Sequence, residues 1–574
     1  MLVEDKMDRR TFECLVAIYE QMGTNDLDDG VSEACVRKGW VSDGKLTSKA
    51  IEALEPYKVK NAIIMAAGFS SRFAPLSYEC PKGLVEINGE VLIERQIKQL
   101  KSAGIDDIVV VVGYRGNDFK YLVDKFNVEI VENLEYSTRN NHSTLMAVKE
   151  RLSNTYICSV DNYFKENPFR SYEWKSFYSV QWSEGETREW CLSCDKDNRI
   201  KAVKVGGCHS YYMIGPAYFD SDFSREFCKI LSVEYPKEET KDKLWESIYI
   251  DYIDILDMEA KCYPDGSILE FDSIEDANKF DPEFLDKQKS VVLERLENTL
   301  GCSRKDICSM YPLKSGLTNM SCHLCVDGFE YVYRHPGVGT EKLVDREAEF
   351  LALKCAKDSG FDGTFVAGDY CSGWKLSSYV RNARFLDARN DAELTRAMKI
   401  LRRLHGLETK LPRQFDFFEQ GLIYEGMNEC KYIDYELKEK IRSLHENIES
   451  LSLCMTHNDF WPANILIDEE DKIHVIDWEY AGMGDYANDF GSFVVSSQLN
   501  DDEADRALEL YFDRRPTVEE RIHNYAHVAL AGWCWYNWAL LKEQEGASVG
   551  EWTEIYKSYA ENYLNRIEKL QAEA

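Results

Sequence analysis

The stretch IIMAAGFSSRFAPLSYECPKGLVEING, residues 63–89, starts as an apolar strand, turns through a glycine and then presents two cations, Arg72 and Lys82. Backbone N–H groups freed by that turn, around Ala66, Ala67, Gly68 and Ser71, can face the oxygens of a triphosphate. Arg72 and Lys82 can neutralise the charge that develops when pyrophosphate leaves. Asp161 follows the apolar run TYICSV, and Glu270 and Asp272 stand two residues apart in GSILEFDSIEDANKF. Residues two apart on a strand share a face. The two acids can therefore join Asp161 in a carboxylate cage for Mg2+, a hard ion that bridges phosphates.

These groups need a frame, and from Asn61 strands alternate with helices: NAIIMAAG, VLIERQIKQLKSAG, IDDIVVVVGY, VEIVEN and NTYICSVDN. That order predicts a mostly parallel sheet wrapped on both sides, with ligands beyond the carboxyl ends of its strands. Ahead of it, residues 1–59 show helical periodicity in RTFECLVAIYEQM and VSEACVRKGW, then a turn and helix in DGKLTSKAIEAL. This segment resembles a small winged helix. Residues 1–60 carry nine Lys/Arg against twelve Asp/Glu, which favours a docking or regulatory module over DNA binding.

The run A-A-G-x-x-S-R-F, then P-L, then P-K resembles the signature loop of nucleotidyltransferases. Together with PKGLVEINGEVLIERQI, the N-N pair of TRNNHSTLMAV, SVDNYF and EFDSIEDA, residues 60–285 resemble bacterial CTP:phosphocholine cytidylyltransferases. The resemblance implies transfer of CMP from CTP to phosphocholine, with Arg72 and Lys82 on phosphates, Asn141 at the nucleotide, and Asp161 and Asp272, with Glu270, on the metal. A quaternary ammonium cannot donate a hydrogen bond, so it needs aromatic faces and nearby carboxylates. Trp182, Trp190, Tyr212, Trp245 and Tyr249 are available. Most of them should be core or surface residues; Trp182 and Tyr212 are the first choices, with Trp245 next.

Beyond a polar stretch at 281–289, a second catalytic unit is expected over residues 290–574. PLKSGLTNMSC holds a glycine-containing turn, and YVYRH is an alternating strand that ends in a cation. In THNDFWPANILIDEEDKIHVIDWEYAG, Asp459 is followed five residues on by Asn464 and then by Asp477 at the end of an apolar strand. This arrangement resembles that of protein-kinase-like phosphotransferases, and the resemblance assigns Asp459 to the acceptor hydroxyl, and Asn464 and Asp477 to Mg2+ on the ATP phosphates. Arg334 stands where protein kinases keep a lysine, with Glu347 or Glu349 as its helix partner and Glu349 preferred. GLTN, THND and IDWEYAG together resemble choline/ethanolamine kinases. The helix HVALAGWCWYNWALL offers Trp533 with Tyr536 on one face and Trp535 with Trp538 on another; one of these faces, with Glu479 and Trp461, could line the cationic end of the acceptor, though at least two of the aromatics should serve packing.

A chain of 574 residues is too long for one core, and the expected class is multidomain α/β and α+β. Charges in MLVEDKMDRR and strand-sized apolar runs predict a cytoplasmic protein without a membrane span. A formal net charge of −32 argues against nucleic acid as a partner. Eighteen scattered cysteines read as reduced thiols, and Cys191 and Cys194 lack the second pair that a zinc ribbon needs. The two halves constrain each other, since a kinase that makes phosphocholine and a transferase that consumes it are consecutive steps. The expected function is a bifunctional enzyme making CDP-choline, using ATP, CTP and Mg2+. Ethanolamine or another amino alcohol is the alternative acceptor, a nucleotide-sensing transcriptional regulator the more distant one, and the oligomeric state stays open.

Overall fold

The computed structural model describes residues 7–20, 29–313, 319–337, 344–429, 433–448, 451–545 and 548–573. The glycine-containing turn at 314–318 lies outside them. The chain divides into two compact units, Met1–Leu296 and Glu297–Ala574. The division falls beyond the expected 285–290 boundary because Ser290 Oγ and the Val292 amide both donate to Glu79. The start of the helix Val291–Leu300 is thereby fixed to the first unit.

A seven-stranded sheet organises the first unit, in the order Glu259–Cys262, Phe177–Cys194, Ile200–Phe219, Thr155–Ser159, Asn61–Ala66, Ile108–Val112, Glu129–Glu132. The last four strands pair in parallel. Ile108–Val112 is buried at every position, as a β-branched run covered on both faces must be. The helix Leu92–Ser102 buries Leu92, Ile93, Ile97 and Leu100 on one stripe and is followed by Gly104 at φ 76°, a conformation glycine adopts without strain. Phe177–Cys194 and Ile200–Phe219 form a long antiparallel hairpin. The N-terminal segment is helix, helix, a hairpin of two-residue strands and a third helix, Ser48–Leu54. Its core of Phe12, Leu15, Val16, Cys35, Trp40 and Leu54 closes on Tyr172 and Trp174, so the described residues of this segment pack within the first unit.

The second unit begins with a five-stranded antiparallel sheet, ordered Ile307–Pro312, Asn319–Val326, Phe329–Pro336, Trp374–Ser378, Phe365–Asp369. The helix Arg346–Asp358 follows the third of these in sequence. The rest is mainly helical and shares one large core, through which runs Val518–Gln544, buried on nearly all sides over residues 524–537. A helix that is apolar all round belongs inside a core. Among the described residues no helix is long and apolar enough to cross a membrane, and the seventeen described cysteines are unbridged.

Candidate active sites

At the carboxyl ends of the parallel strands, a cavity of about 360 Å3 is lined by Ala66, Ala67, Gly68, Ser71, Arg72, Lys82, Asn141, Asp161 and Asp272. Ser70 turns the loop at φ 52°, and a Cβ on Gly113 would fall 2.6 Å from the Tyr136 ring and 2.8 Å from the Ala67 carbonyl. Glycine there lets Tyr136, another wall of the cavity, approach the loop. Lys82 is 5% exposed; its Nζ donates to Asp161 Oδ2 at 3.0 Å and lies 3.7 Å from Asp272 Oδ1. Arg72, on the rim, donates to Asp272 Oδ2 at 2.8 Å.

Asp161, Glu270 and Asp272 each bring a carboxylate oxygen within 4.8 Å of the other two. Oδ1 of Asp161 and Oδ1 of Asp272 are buried without a hydrogen-bond donor. Bare anionic oxygens at this spacing fit a hard dication. Surrounding protein, then the charges of Asp161 and Asp272, push the Glu270 carboxyl up to about 8, although one side of it remains open to solvent. Burial would raise Asp161 as well, but the Lys82 ammonium outweighs it and holds that carboxyl below its ordinary value.

Asn141 lines the cavity, yet its amide is also engaged behind it: Oδ1 accepts from the Trp245 amide at 2.7 Å and Nδ2 donates to Glu246 Oε2 at 3.2 Å. Desolvation lifts Glu246 to about 7. Trp245 is a correction to the expected aromatic pocket. At 1% exposure it packs in the core against Tyr178, Phe219 and Phe227, because it opens the helix Trp245–Asp251 on that helix's inner face. Trp182 and Tyr212 do not share a pocket either. Trp182 pairs across the hairpin with Tyr211 and Tyr212 with Gln181, and neighbouring pairs on a hairpin face opposite ways. The Tyr212 phenol is raised by burial and then by the charges of Asp265, Glu189 and Glu270, which places it on the carboxylate side. Trp182, 36% exposed, packs edge-on against Tyr211 and donates to Glu184.

In the second unit, Arg334 is buried and joined to Glu349, to Asp477 Oδ1 at 3.1 Å and to Glu479 Oε2 at 3.8 Å. Glu349 is thus the helix partner. Arg334 overrides the effect of burial and pulls this carboxyl down to about 2. Two further cations, Arg346 at 2.9 Å and Lys375 at 3.8 Å, surround Glu349. Asn464 Nδ2 donates to Asp459 Oδ2 at 2.8 Å. Burial, then Asp477 and Glu479, raise the Asp459 carboxyl well above its ordinary value. The loop that carries Asp459 is held by buried Asp489, which accepts from the amides of His457 and Asn458. Asn464 and Asp477 offer oxygen ligands only, a donor set suited to Mg2+.

The acceptor side differs from expectation. Glu479 is bound to Arg334 and to Asn319 Nδ2 at 3.0 Å, so it belongs to the cation cluster. Trp533 is 2% exposed, stacks on Phe418 and fills the space above Gly421; Trp535 is 5% exposed between Tyr480 and Phe417. Both serve the core. Trp461 instead meets Trp552 edge-on at 6.5 Å, and Trp552 contacts Tyr556 at 5.2 Å. Burial and then the charge of Asp459 raise the Tyr556 phenol, so this aromatic group flanks the acid. Trp552 and Tyr556 were missed in the sequence, although their i, i+4 spacing signals a shared helix face.

Residues 62–170 match the MobA-like NTP transferase domain, and residues 312–522 match the Phosphotransferase enzyme family. The choline-phosphate cytidylyltransferase of Streptococcus pneumoniae is 34% identical over 220 residues, which cover 38% of this chain and 96% of that protein. The 2-aminoethylphosphonate cytidylyltransferase of Lancefieldella rimae is 33% identical over 225 residues, covering 38% and 92%. The crystal structure of the choline kinase LicA from Streptococcus pneumoniae shares 25% identity, covers 48% of this chain and 98% of that one, and has a TM-score of 0.43.

Proposed function

Since the chain belongs to the choline-phosphate cytidylyltransferase family through its first unit and carries a phosphotransferase domain in its second, we propose that it makes CDP-choline in two steps. Choline is phosphorylated by ATP at the second site, and CMP is transferred from CTP to phosphocholine at the first. The observation that carries this reading is the double occurrence of one device: a buried cation paired with carboxylates, Lys82 with Asp161 and Arg334 with Glu349 and Asp477. Residues 60–285 and 290–574 divide the two reactions, residues 1–59 serve docking or regulation, and the enzyme works in the cytoplasm, where both nucleotides are available.

At the first site an oxygen of phosphocholine attacks the α-phosphorus of CTP in line, the bond to pyrophosphate breaks, and Lys82 and Arg72 take up the developing charge. Asp161, Glu270 and Asp272 would hold Mg2+, which when bound draws phosphate oxygens together and neutralises them. Tyr212 and Glu189 are the groups suited to the trimethylammonium. At the second site Asp459, oriented by Asn464, accepts the proton of the choline hydroxyl as its oxygen bonds to the γ-phosphorus and ADP leaves. Asn464 and Asp477 would hold the Mg2+ of ATP there. Trp461, Trp552 and Tyr556 offer the aromatic faces for choline.

A second reading gives the first site a primary ammonium, because the relative at 33% identity acts, by its name, on 2-aminoethylphosphonate. Mass spectrometry of parallel mixtures of ATP, CTP and Mg2+ with choline, with phosphoethanolamine or with 2-aminoethylphosphonate tests the main reading. CDP-choline is expected; turnover of 2-aminoethylphosphonate or phosphoethanolamine in its place would transfer the assignment to the second.

A further inference from the structure

Asp485, His523 and His527 converge on one point inside the helical part of the second unit. Each offers a ligand atom within 4.8 Å of the other two. His523 and His527 stand four residues apart on the helix Val518–Gln544, hence on one face; Asp485 closes the gap from the turn before the helix Ala487–Ser496. His523 Nε2 is 3.0 Å from Asp485 Oδ1, and His527 Nε2 is 3.8 Å from the same oxygen.

The His527 side chain is buried, being 8% exposed, and its Nε2 has no hydrogen-bond partner. Its Nδ1 is 2.8 Å from Asn488 Oδ1. Asn488 turns its amide nitrogen the other way, toward Asn458 Oδ1 at 3.2 Å, so its oxygen faces the imidazole and Nδ1 carries the proton. The lone pair of Nε2 is then left bare and aimed at a carboxylate. Two electron-rich atoms facing each other in a buried space call for a cation between them. A metal-ligating histidine has its other nitrogen bonded in this way.

We propose that Asp485, His523 and His527 form a site for a divalent transition metal of the zinc class, separate from the oxygen-only Mg2+ sites. Two imidazoles and one carboxylate are a zinc donor set, with water completing a tetrahedron. The ion would tie the helix Val518–Gln544 to the turn before Ala487–Ser496. Through Asn488 and Asn458 it also adjoins the loop that carries Asp459.

Zn2+ uptake by the full chain tests this, measured by elemental analysis after dialysis against excess Mg2+, which keeps the oxygen sites filled. The wild type should retain one zinc more than His527→Asn and His523→Gln, and its unfolding temperature should rise with zinc where theirs does not. Loss of an inner ligand should weaken binding by more than the roughly 10–100-fold that outer-shell changes cost. His523 lies nearer the surface, so its variant guards against misfolding at His527, and a metal-free unfolding temperature equal to that of the wild type reports on an intact second unit. Equal zinc retention in all three proteins, or none in the wild type, would overturn the site.

Discussion

Trp182 and Tyr212 face opposite ways on one hairpin, because Trp182 stands opposite Tyr211 and Tyr212 opposite Gln181. Only Tyr212 lies among the carboxylates Glu189, Glu270 and Asp265. Tyr212→Ala should therefore raise the KM for phosphocholine while leaving that for CTP nearly unchanged. A desolvated cation–π contact of about 2 kcal/mol corresponds to roughly thirtyfold. Trp182→Ala should change neither constant, and steady-state kinetics on both variants distinguish the two faces.

Asp161→Ala or Asp272→Ala should lower CDP-choline formation from supplied phosphocholine by orders of magnitude, since metal and cation stabilisation of the phosphates contributes several kcal/mol. Choline phosphorylation should persist in both variants. A near-normal transfer rate in either one would remove that residue from the cage.

At the kinase site, Trp552→Ala should raise the KM for choline and leave that for ATP in place, because Trp552 meets Trp461 beside Asp459 and not beside Arg334. Trp533→Ala should instead destabilise the second unit by about 3–5 kcal/mol, the cost of removing a buried aromatic. Kinetics and thermal denaturation of the two variants should separate binding from packing.

The depressed carboxyl of Glu349 sets an acid limit on stability. With a folded value of about 2 against an ordinary 4.5, the folded state binds fewer protons than the unfolded one in this range. The contribution is present above about pH 4.5 and is lost as pH falls toward 2, on the order of 3 kcal/mol in all. Glu349→Gln should flatten that part of the stability curve of the second unit. Denaturant unfolding at several acid pH values checks the sign; an unchanged slope would detach Glu349 from it.

How much of this was legible in the sequence depended on how local each geometry is. The mostly parallel sheet of the first unit followed from strands alternating with helices, whereas its long antiparallel hairpin did not; the pairing of Glu270 with Asp272 followed from their spacing, although the strand ends at Glu270. Asp459 and Asn464 are five residues apart, so one loop determines their contact. The aromatic assignments needed information the spacing lacks. Whether Tyr212 or Trp182 faces the carboxylates is set by hairpin register, and Trp245, Trp533 and Trp535 were claimed by core packing. Glu479 was drawn to Arg334, a contact across 145 residues that no short motif announces. Trp552 and Tyr556 reach Asp459 from nearly a hundred residues away, and their spacing alone names no partner.

On this reading one chain holds two independent catalytic sites acting in sequence. The most direct test is Asp459→Asn, assayed once with choline, ATP and CTP and once with phosphocholine and CTP, both with Mg2+. CDP-choline should fail to form from choline yet form at the wild-type rate from phosphocholine. Loss of both activities in a folded variant, or an unimpaired rate from choline, would contradict the account.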